Sequence, residues 1–182
     1  MASSSTIDAR VASAIENLAS INEQLADATP KEILEWSIDN LPNLYQTTAF
    51  GLTGCVTLDL VSRISQERTK GPNTVSRFSS RIHALCMNFD RSSSLQNAKH
   101  LVPLIFVDTL YHFPQTTDLA TRAAEHYKAP MHIYTPSNLK SSAEFEKTYG
   151  QQLWERDEDL YDYLVKVEPA RRAYEELNAK AV

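Results

Sequence analysis

Apolar residues recur every three or four positions over residues 7–25, the spacing of one face of an amphipathic helix. Serine and threonine precede this stretch and are suited to cap the first turn. We therefore predict that residues 1–28 form an N-terminal amphipathic helix that packs on the protein or on a partner. Its apolar face consists of Ile7, Val11, Ile15, Leu18, Ile21 and Leu25.

A second helix is predicted from its start signals. Thr29 is a suitable N-cap, Pro30 fits the first helical position, and Glu32 stands where a capping-box glutamate is expected. The pattern that follows extends this helix to about Asn40. From residue 29 onward we predict one domain that continues to residue 182.

Short β-rich or continuously apolar runs alternate with helical patterns through this domain. The run at 101–107 is apolar throughout, which is typical of a parallel strand buried on both faces. Such alternation predicts an α/β fold, a doubly wound parallel sheet with helices on both faces and right-handed crossovers. The predicted strands are residues 44–50, 101–107 and 131–134, and a further strand would begin at Ala181. Helices are expected from about Val56, Pro114 and Pro169, and another is capped by Ser141 or Ser142.

One segment does not fit this alternation. Residues 66–100 are rich in serine, arginine and asparagine and sustain neither the helical nor the strand period. Connections of that length are uncommon inside compact domains. We expect an atypical and disordered insertion here, and hypothesise that it is a translated intron or a gene-model error.

Composition narrows the class of protein. With 42% hydrophobic and 23% charged residues, the chain falls in the range of globular domains. Its longest apolar runs span about six residues, whereas a membrane helix needs roughly twenty. The net charge of −5, without a dense basic run, argues against nucleic-acid binding. We expect a cytoplasmic protein, since no secretory signal is apparent and Cys55 and Cys86 lack disulfide or zinc spacing.

The turn between the first predicted strand and its helix is the best candidate for holding phosphate. It comprises residues 49–54, where backbone N–H groups and the helix dipole would point at a bound anion. Gly51 and Gly54 are equally suited to a sharp turn and to close helix packing, so a purely structural role for these glycines stays open. The candidate residues are Ala49, Phe50, Gly51, Leu52, Thr53 and Gly54.

Asp108 and Thr109 end the second predicted strand and would project at the same edge of the sheet. They are candidates for hydrogen bonding a nucleoside, with Tyr111 and His112 beside them for stacking. Alternatively, Asp108 caps the next turn and His112 is an ordinary loop histidine.

Lys166, Arg171 and Arg172 flank Glu168-Pro169, where a new helix is expected to begin. Cations are disfavoured at that end of a helix, so a bound anion would explain them. The alternative is that they are solvated charges paired with Glu175 and Glu176.

Cys55 falls in the first turn of the helix after the glycine turn, where the helix dipole would lower a thiol pKa. We favour a buried structural role for it. No serine–histidine–aspartate order, paired-carboxylate motif or metal-ligand cluster stands out in the sequence.

Together these motifs resemble the phosphoadenylyl-sulfate (PAPS) reductases of the fungal type, over roughly residues 30–65 and 101–182. The motifs are Thr48-Ala-Phe-Gly-Leu-Thr-Gly54, Pro103-Leu-Ile-Phe-Val-Asp-Thr-Leu-Tyr-His-Phe-Pro-Gln-Thr116, Tyr149-Gly-Gln-Gln-Leu-Trp-Glu155 and Lys166-Val-Glu-Pro-Ala-Arg-Arg-Ala173.

The resemblance implies an adenine nucleotide α-hydrolase-like, Rossmann-like fold. It further implies that residues 49–54 hold phosphate groups, that Asp108 and Thr109 meet the nucleoside, and that Lys166 and Arg172 bind an anion. In that family, a cysteine in a C-terminal Glu-Cys-Gly-(Ile/Leu)-His motif attacks the sulfonyl sulfur and releases adenosine 3′,5′-bisphosphate. Thioredoxin then liberates sulfite, no metal or other cofactor is needed, and a homodimer is suggested.

The sequence departs from that pattern because it contains no Glu-Cys-Gly-(Ile/Leu)-His motif, and neither Cys55 nor Cys86 matches the nucleophile. We expect the chain to be truncated before the catalytic tail and to supply nucleotide binding only. A non-catalytic nucleotide-binding or dimerisation module is the alternative. A third possibility is an ATP pyrophosphatase of the PP-loop group. That group has a Ser-Gly-Gly-type loop, which residues 49–54 do not contain. The sequence leaves open whether the substrate is PAPS or adenylyl sulfate.

Overall fold

The computed structural model of the protein describes residues 12, 15–69 and 102–182. In chain order, the helices and strands are α1 (Leu18–Leu25), α2 (Pro30–Asn40), β1 (Gln46–Thr47), α3 (Leu52–Thr69), β2 (Leu104–Val107), α4 (Pro114–Tyr127), β3 (Met131–Tyr134), α5 (Ser142–Tyr149), α6 (Leu153–Arg156), α7 (Glu158–Asp162), a π-helical turn (Tyr163–Val167) and α8 (Glu168–Glu176).

The three strands form a parallel sheet in the order β1-β2-β3. Thr47 pairs with Ile105, and all four residues of β2 pair with β3. The chain returns to the free side of β1 at its end, where Ala181 forms a parallel bridge with Leu44. The predicted start of another strand at Ala181 therefore agrees with the structure.

Helices cover both faces of this sheet, as the alternation of elements predicts. Leu104 and Phe106 are buried on one face, in a core cluster that includes Leu58 and Val61 of α3 and Ala120 of α4. Ile105 points to the opposite face because successive strand residues alternate.

The opposite face is covered by α8. Thr47, which shares the face of Ile105 through its register, lies with its hydroxyl 3.3 Å from the Tyr174 hydroxyl of α8. Three of the four β2 residues are buried between the two faces, which explains the unbroken apolar sequence of the strand.

Several helix boundaries follow the local signals. Thr29 accepts a hydrogen bond from the Glu32 backbone N–H while the Glu32 carboxylate accepts from the Thr29 N–H, so the predicted capping box of α2 is present. Ser141 caps α5, and Gly150 ends it with φ of 86°.

The segment around Pro169 agrees with the predicted helix start, since α8 has Pro169 in its first turn, but the chain is already helical before that turn. It is helical without a break from Glu158 to Glu176. A proline ring clashes with the carbonyl four residues earlier in a regular α-helix. The preceding turn is π-helical, with the Glu168 N–H bonded to the Tyr163 carbonyl, and this wider turn admits the proline.

The two segments set apart at the sequence level lie largely outside the described residues. Of the N-terminal stretch, α1 is helical as predicted, and none of its residues from Leu18 to Leu25 is buried. α3 continues to Thr69, past the start of the predicted insertion at residue 66. Residues 70–101 lie outside the described part of the chain, so the insertion hypothesis stays a prediction.

Candidate functional site

The turn after β1 is shaped by Thr48 and Phe50. Thr48 is buried, and its hydroxyl accepts a hydrogen bond of 2.9 Å from the Phe50 N–H. Phe50 adopts left-handed backbone angles with φ of 58°, and its ring is buried against Phe106 with 5.4 Å between ring centroids. The turn is therefore anchored in the core by the Phe50 side chain.

α3 begins immediately after this turn. The first intrahelical bond runs from the Cys55 N–H to the Gly51 carbonyl at 3.0 Å, so Gly51 is the N-cap. The N–H groups of Leu52, Thr53 and Gly54 have no acceptor within the helix, and they occupy the positive end of its dipole. Such a helix start can hold a phosphate group.

The two glycines of this turn have different roles. A Cβ on Gly54 would lie 2.4 Å from the Thr48 hydroxyl oxygen, so Gly54 permits the close approach of α3 to β1. A Cβ on Gly51 would meet nothing within 4 Å, which leaves open space beside the N-cap. The left-handed residue of the turn is Phe50, since Gly51 does not have a positive φ.

The remaining predicted residues of the turn are exposed. Ala49, Leu52 and Thr53 all face solvent, and Leu52 is 84% exposed although it is a large apolar side chain. Gln46 of β1 holds the start of α3, because its side-chain amide donates to the Gly54 carbonyl at 2.8 Å. The backbone of the turn is thus held from the strand side while its outer side stays accessible.

Asp108 and Thr109 follow β2 at the same edge. The Asp108 carboxylate accepts from the Leu110 N–H at 2.9 Å, and the Thr109 hydroxyl accepts from the Tyr111 N–H at 3.4 Å. The alternative reading of Asp108 as a turn cap is therefore correct. The hydrogen bond occupies Oδ1 and leaves Oδ2 as an acceptor.

Tyr111 and His112 were predicted as stacking platforms for a nucleoside, and both instead pack inside the protein. Tyr111 contacts Phe145, Trp154 and Tyr161 edge-on, with centroid distances of 5.9, 5.3 and 6.1 Å. Burial, followed by the negative charge of Glu146, raises the pKa of the Tyr111 hydroxyl.

His112 stacks on Phe106 at 5.2 Å, and its Nε2 lies 3.3 Å from the Val107 carbonyl oxygen. Its ring therefore closes the end of the core cluster. The reading of His112 as an ordinary loop histidine fits these contacts.

The cations of α8 were predicted to gather at a helix start, which the continuous helix contradicts. Lys166 lies in the π-helical turn and forms an exposed ion pair of 2.6 Å with Asp162. This hydrogen bond raises the pKa of the Lys166 ammonium. Arg171 is exposed and forms no hydrogen bond or ion pair with any described residue.

Arg172 is half-buried and reaches the carboxyl end of β3. Its Nε donates to the Glu168 carboxylate at 2.8 Å, and its Nη2 donates to the Thr135 carbonyl at 2.6 Å. Its guanidinium lies over the Tyr134 ring, 5.4 Å from the centroid. The pairing with Glu175 and Glu176 is wrong, since Glu168 is the partner of Arg172.

Glu168 lies beside Arg172 but is not among the predicted site residues. Its Oε1 also accepts from the Ser137 hydroxyl at 2.7 Å. The Arg172 guanidinium, as the largest cause, lowers the pKa of the Glu168 carboxyl, which is therefore ionised at neutral pH. The spacing of four residues between Glu168 and Arg172 was the available signal.

Predicted residues from three parts of the chain meet at one edge of the sheet. The turn after β1, Asp108 after β2 and Arg172 beside the end of β3 all lie at the carboxyl ends of adjacent parallel strands. With strands about 4.8 Å apart, the outer two ends are separated by about 10 Å. No hydrogen bond or ion pair in the described residues joins Lys166 to this edge; its ion pair is with Asp162.

Cys55 packs against the core cluster and is half-buried, with its Sγ 3.5 Å from the Phe50 carbonyl oxygen. This agrees with a structural role. Cys86 lies outside the described residues. Within residues 15–69 and 102–182, no group of histidine, cysteine, aspartate or glutamate side chains has a geometry suited to a metal ion.

No helix in the described residues is both long and apolar enough to cross a membrane.

Comparison with known proteins gives consistent matches. A family model of the phosphoadenosine phosphosulfate reductase domain matches residues 43–182. The chain is 42% identical over 173 residues to a phosphoadenosine phosphosulfate reductase of Saccharomyces cerevisiae, covering 92% of this chain and 54% of that protein. A reductase of the same name from Emericella nidulans is 39% identical over 163 residues, covering 89% of this chain and 44% of that protein.

A solved structure is also similar. It is the crystal structure of the PAPS reductase from Candida auris in a phosphate complex, with a TM-score of 0.66 and 41% sequence identity over 90% of this chain and 64% of that chain. This likeness confirms the predicted adenine nucleotide α-hydrolase-like fold. The chain spans about half the length of the curated relatives it matches. Because the family model covers well over half of its residues, the chain belongs to the phosphoadenosine phosphosulfate reductase domain family.

Proposed function

We propose that this chain binds the adenine nucleotide that is the substrate or product of a PAPS reductase. The binding site lies at the edge of the sheet formed by the carboxyl ends of the strands. The observation that carries the proposal is the turn after β1, where Gly51 leaves open space beside the first N–H groups of α3. A helix start of this kind suits a phosphate group. The solved relative from Candida auris, which is 41% identical, is described as a phosphate complex.

In this proposal, the backbone of residues 49–54 holds phosphate groups, and Asp108 and Thr109 meet the nucleoside. Arg172 provides a cation at the third strand end, where its guanidinium is already in place beside Thr135. Lys166 would provide a second cation. Its ion pair with Asp162 is exposed, so exchanging that partner for a ligand anion would cost little.

The proposed overall reaction is reduction of PAPS to sulfite and adenosine 3′,5′-bisphosphate in sulfate assimilation. A cysteine thiolate attacks the sulfonyl sulfur, the sulfur–oxygen bond to the phosphate breaks, and the bisphosphate leaves. The two thiols of reduced thioredoxin then supply two electrons, forming a disulfide and releasing sulfite from the enzyme thiosulfonate. No metal or other cofactor takes part in this scheme.

The second candidate is a nucleotide-binding module without chemistry of its own. The position of Cys55 favours it, since this thiol packs against the core and points at the Phe50 carbonyl. A nucleophilic cysteine requires an accessible thiolate. We therefore propose that these 182 residues bind nucleotide and that the attacking thiolate is not Cys55.

The test is isothermal titration of the purified 182-residue chain with adenosine 3′,5′-bisphosphate, beside a sulfite-release assay with PAPS and reduced thioredoxin. Binding without sulfite release is the expected result. Sulfite release would mean that Cys55 or Cys86 acts as the nucleophile. A folded chain that does not bind the bisphosphate would refute the proposed site.

A Gly51→Ala variant makes the titration specific to the turn. Its methyl group would enter the open space beside the N-cap without touching protein atoms. Loss of even one hydrogen bond to a charged phosphate would weaken binding at least about tenfold. Arg63→Ala is a suitable control, because it removes an exposed cation three turns along α3 from the turn. Equal affinities for wild type and Gly51→Ala would exclude the turn as the phosphate site.

Adenosine 5′-monophosphate, which lacks the 3′-phosphate, separates the two substrate classes. We propose PAPS as the substrate, and so expect the 3′,5′-bisphosphate to bind more tightly than the monophosphate. Equal affinities would favour adenylyl sulfate. We further propose a cytoplasmic location, which is supported by Cys55 and Cys86 having neither CxxC nor zinc-type spacing.

We also propose that the chain self-associates as a homodimer. A groove between α2 and α3 carries the exposed apolar side chains Ile33, Leu52 and Val56, which supports an association surface there. Sedimentation velocity of wild type and Val56→Glu tests this. A monomeric wild type, or a dimer unaffected by the glutamate, would contradict this surface.

A further inference from the structure

The Arg172 guanidinium is held on several sides by its neighbours. Glu168 accepts from Nε at 2.8 Å and from Nη2 at 3.4 Å, and the Thr135 carbonyl accepts from Nη2 at 2.6 Å. The Tyr134 ring lies against one face. Nη1 makes no hydrogen bond with any described residue, so its two N–H groups form the edge left for an anion.

Glu168 is itself fixed in position. The Ser137 hydroxyl, from the loop after β3, donates to Oε1 at 2.7 Å. The carboxylate is about three-quarters buried, with 26% of its side chain exposed, so its pairing with Arg172 is only partly screened by solvent. The Ser137–Glu168 hydrogen bond therefore connects the loop after β3 to α8, beside the Arg172 side chain.

Glu168 could either compete with a bound anion for Arg172 or orient Arg172 toward that anion, and the hydrogen bonds distinguish these two roles. If Glu168 only neutralised Arg172, it would compete with a ligand for the same N–H groups. Instead, Glu168 accepts from Nε and Nη2, and it makes no hydrogen bond with Nη1. An arginine that is already oriented loses little freedom when it binds, which favours affinity.

We propose that Glu168 is a positioning residue that orients Arg172 at the carboxyl end of β3, so that the Nη1 edge binds a phosphate group of the nucleotide. This inference rests on the proposed function, because it assigns how the site presents one of its cations. Ser137 supports the same arrangement by holding Glu168. Glu168 does not touch the ligand and acts only through Arg172.

A double-mutant cycle tests this role. Isothermal titration with adenosine 3′,5′-bisphosphate is made on wild type, Glu168→Ala, Arg172→Ala and the double variant of the 182-residue chain. We expect Glu168→Ala to weaken binding about tenfold, the factor expected for one long side chain that must be ordered on binding. In the Arg172→Ala background, the same change should have no further effect on affinity, because the residue it positions is gone.

The outcomes are distinct. Lack of binding by folded wild type refutes the proposed function itself. Wild-type binding that Arg172→Ala weakens, with Glu168→Ala unchanged or tighter, overturns the positioning role alone. Additive losses in the double variant also overturn it, because they would mean that Glu168 acts independently of Arg172.

Ser137→Ala keeps the test decisive if Glu168→Ala does not fold. This change removes one hydroxyl from an exposed loop position and leaves the Glu168–Arg172 pair in place. We expect it to weaken binding about two- to threefold, because Ser137 acts on the ligand only through Glu168 and Arg172 and restricts their freedom only in part. Arg63→Ala, at an exposed cation three turns along α3 from the turn, should have no effect. Unchanged affinity in folded Ser137→Ala would refute the proposed role of this network.

Discussion

Gly54→Ala should destabilise the fold at a defined contact between β1 and α3. The new Cβ would lie 2.4 Å from the Thr48 hydroxyl oxygen and 3.4 Å from the Thr48 Cβ. Thr48 is buried, and its hydroxyl already accepts from the Phe50 N–H, so rotating it away would break the bond that shapes the turn. Relief of the clash must therefore come from a shift of the helix or from loss of that hydrogen bond.

The expected magnitude follows from these two routes. Overpacking a well-packed site costs about 1–3 kcal/mol, and a lost backbone hydrogen bond at a buried site costs about the same. The routes are alternatives, so their costs are not summed. Alanine regains up to about 1 kcal/mol of helix propensity over glycine. A net loss of about 1–2 kcal/mol in the free energy of unfolding is expected.

Urea denaturation followed by circular dichroism measures this loss. With a slope of about 2 kcal/mol per molar urea, the midpoint should fall by about 0.5–1 M. Gly51→Ala is the matched control, because its methyl group meets no protein atom. Its weaker N-cap and its lower unfolded-state entropy should roughly cancel, leaving stability within about 0.5 kcal/mol.

Thr48→Ala provides a further check on the mechanism. In that background the hydroxyl that Gly54→Ala displaces is absent, so the second change should cost at least about 1 kcal/mol less than it does alone. Equal midpoints for wild type and Gly54→Ala, or full additivity with Thr48→Ala, would refute the proposed contact.

Three further effects are expected. Phe145→Ala, at a fully buried ring, should cost about 3–5 kcal/mol in urea denaturation, and a loss below 1 kcal/mol would contradict its place in the core. Thr29→Ala should cost about 1 kcal/mol by removing the N-cap of α2, whereas Thr29→Ser should be nearly neutral. Arg172 lowers the pKa of Glu168 from its ordinary value of 4.5, so this pair stabilises the fold above pH 4.5 and the contribution is lost as pH falls through the lower, folded value. The acid-side loss of stability between pH 5 and pH 3 should therefore be shallower in Glu168→Gln, and an unchanged slope would refute the linkage.

Much of the fold follows from local sequence signals. The capping box at Thr29, the stop at Gly150 and the run of β2 each depend on residues close in the chain, and each agrees with the structure. β1 is shorter than predicted, with Gln46 and Thr47 as its strand residues. The reason is that the chain turns at Thr48, where a left-handed Phe50 leads into α3.

Tertiary context decided what local signals could not. Pro169 reads as a helix start, yet the preceding π-helical turn carries the helix through it. Tyr111 is an aromatic residue just after a strand end, where stacking on a ligand is expected. In the structure it contacts Phe145, Trp154 and Tyr161. These three rings come from residues 34–50 positions further along the chain, so no local pattern could reveal them.

The strand-end turns share a feature that bears on how a ligand would bind. Thr48 closes the turn after β1 through the Phe50 N–H, and Asp108 closes the turn after β2 through the Leu110 N–H. Arg172 is likewise held by protein acceptors at the end of β3. Each element of the proposed site therefore has its geometry before any nucleotide arrives, and binding need not order these backbones. A preformed edge accounts for the presence of left-handed residues such as Phe50, whose conformational cost is met by core packing and not by the ligand.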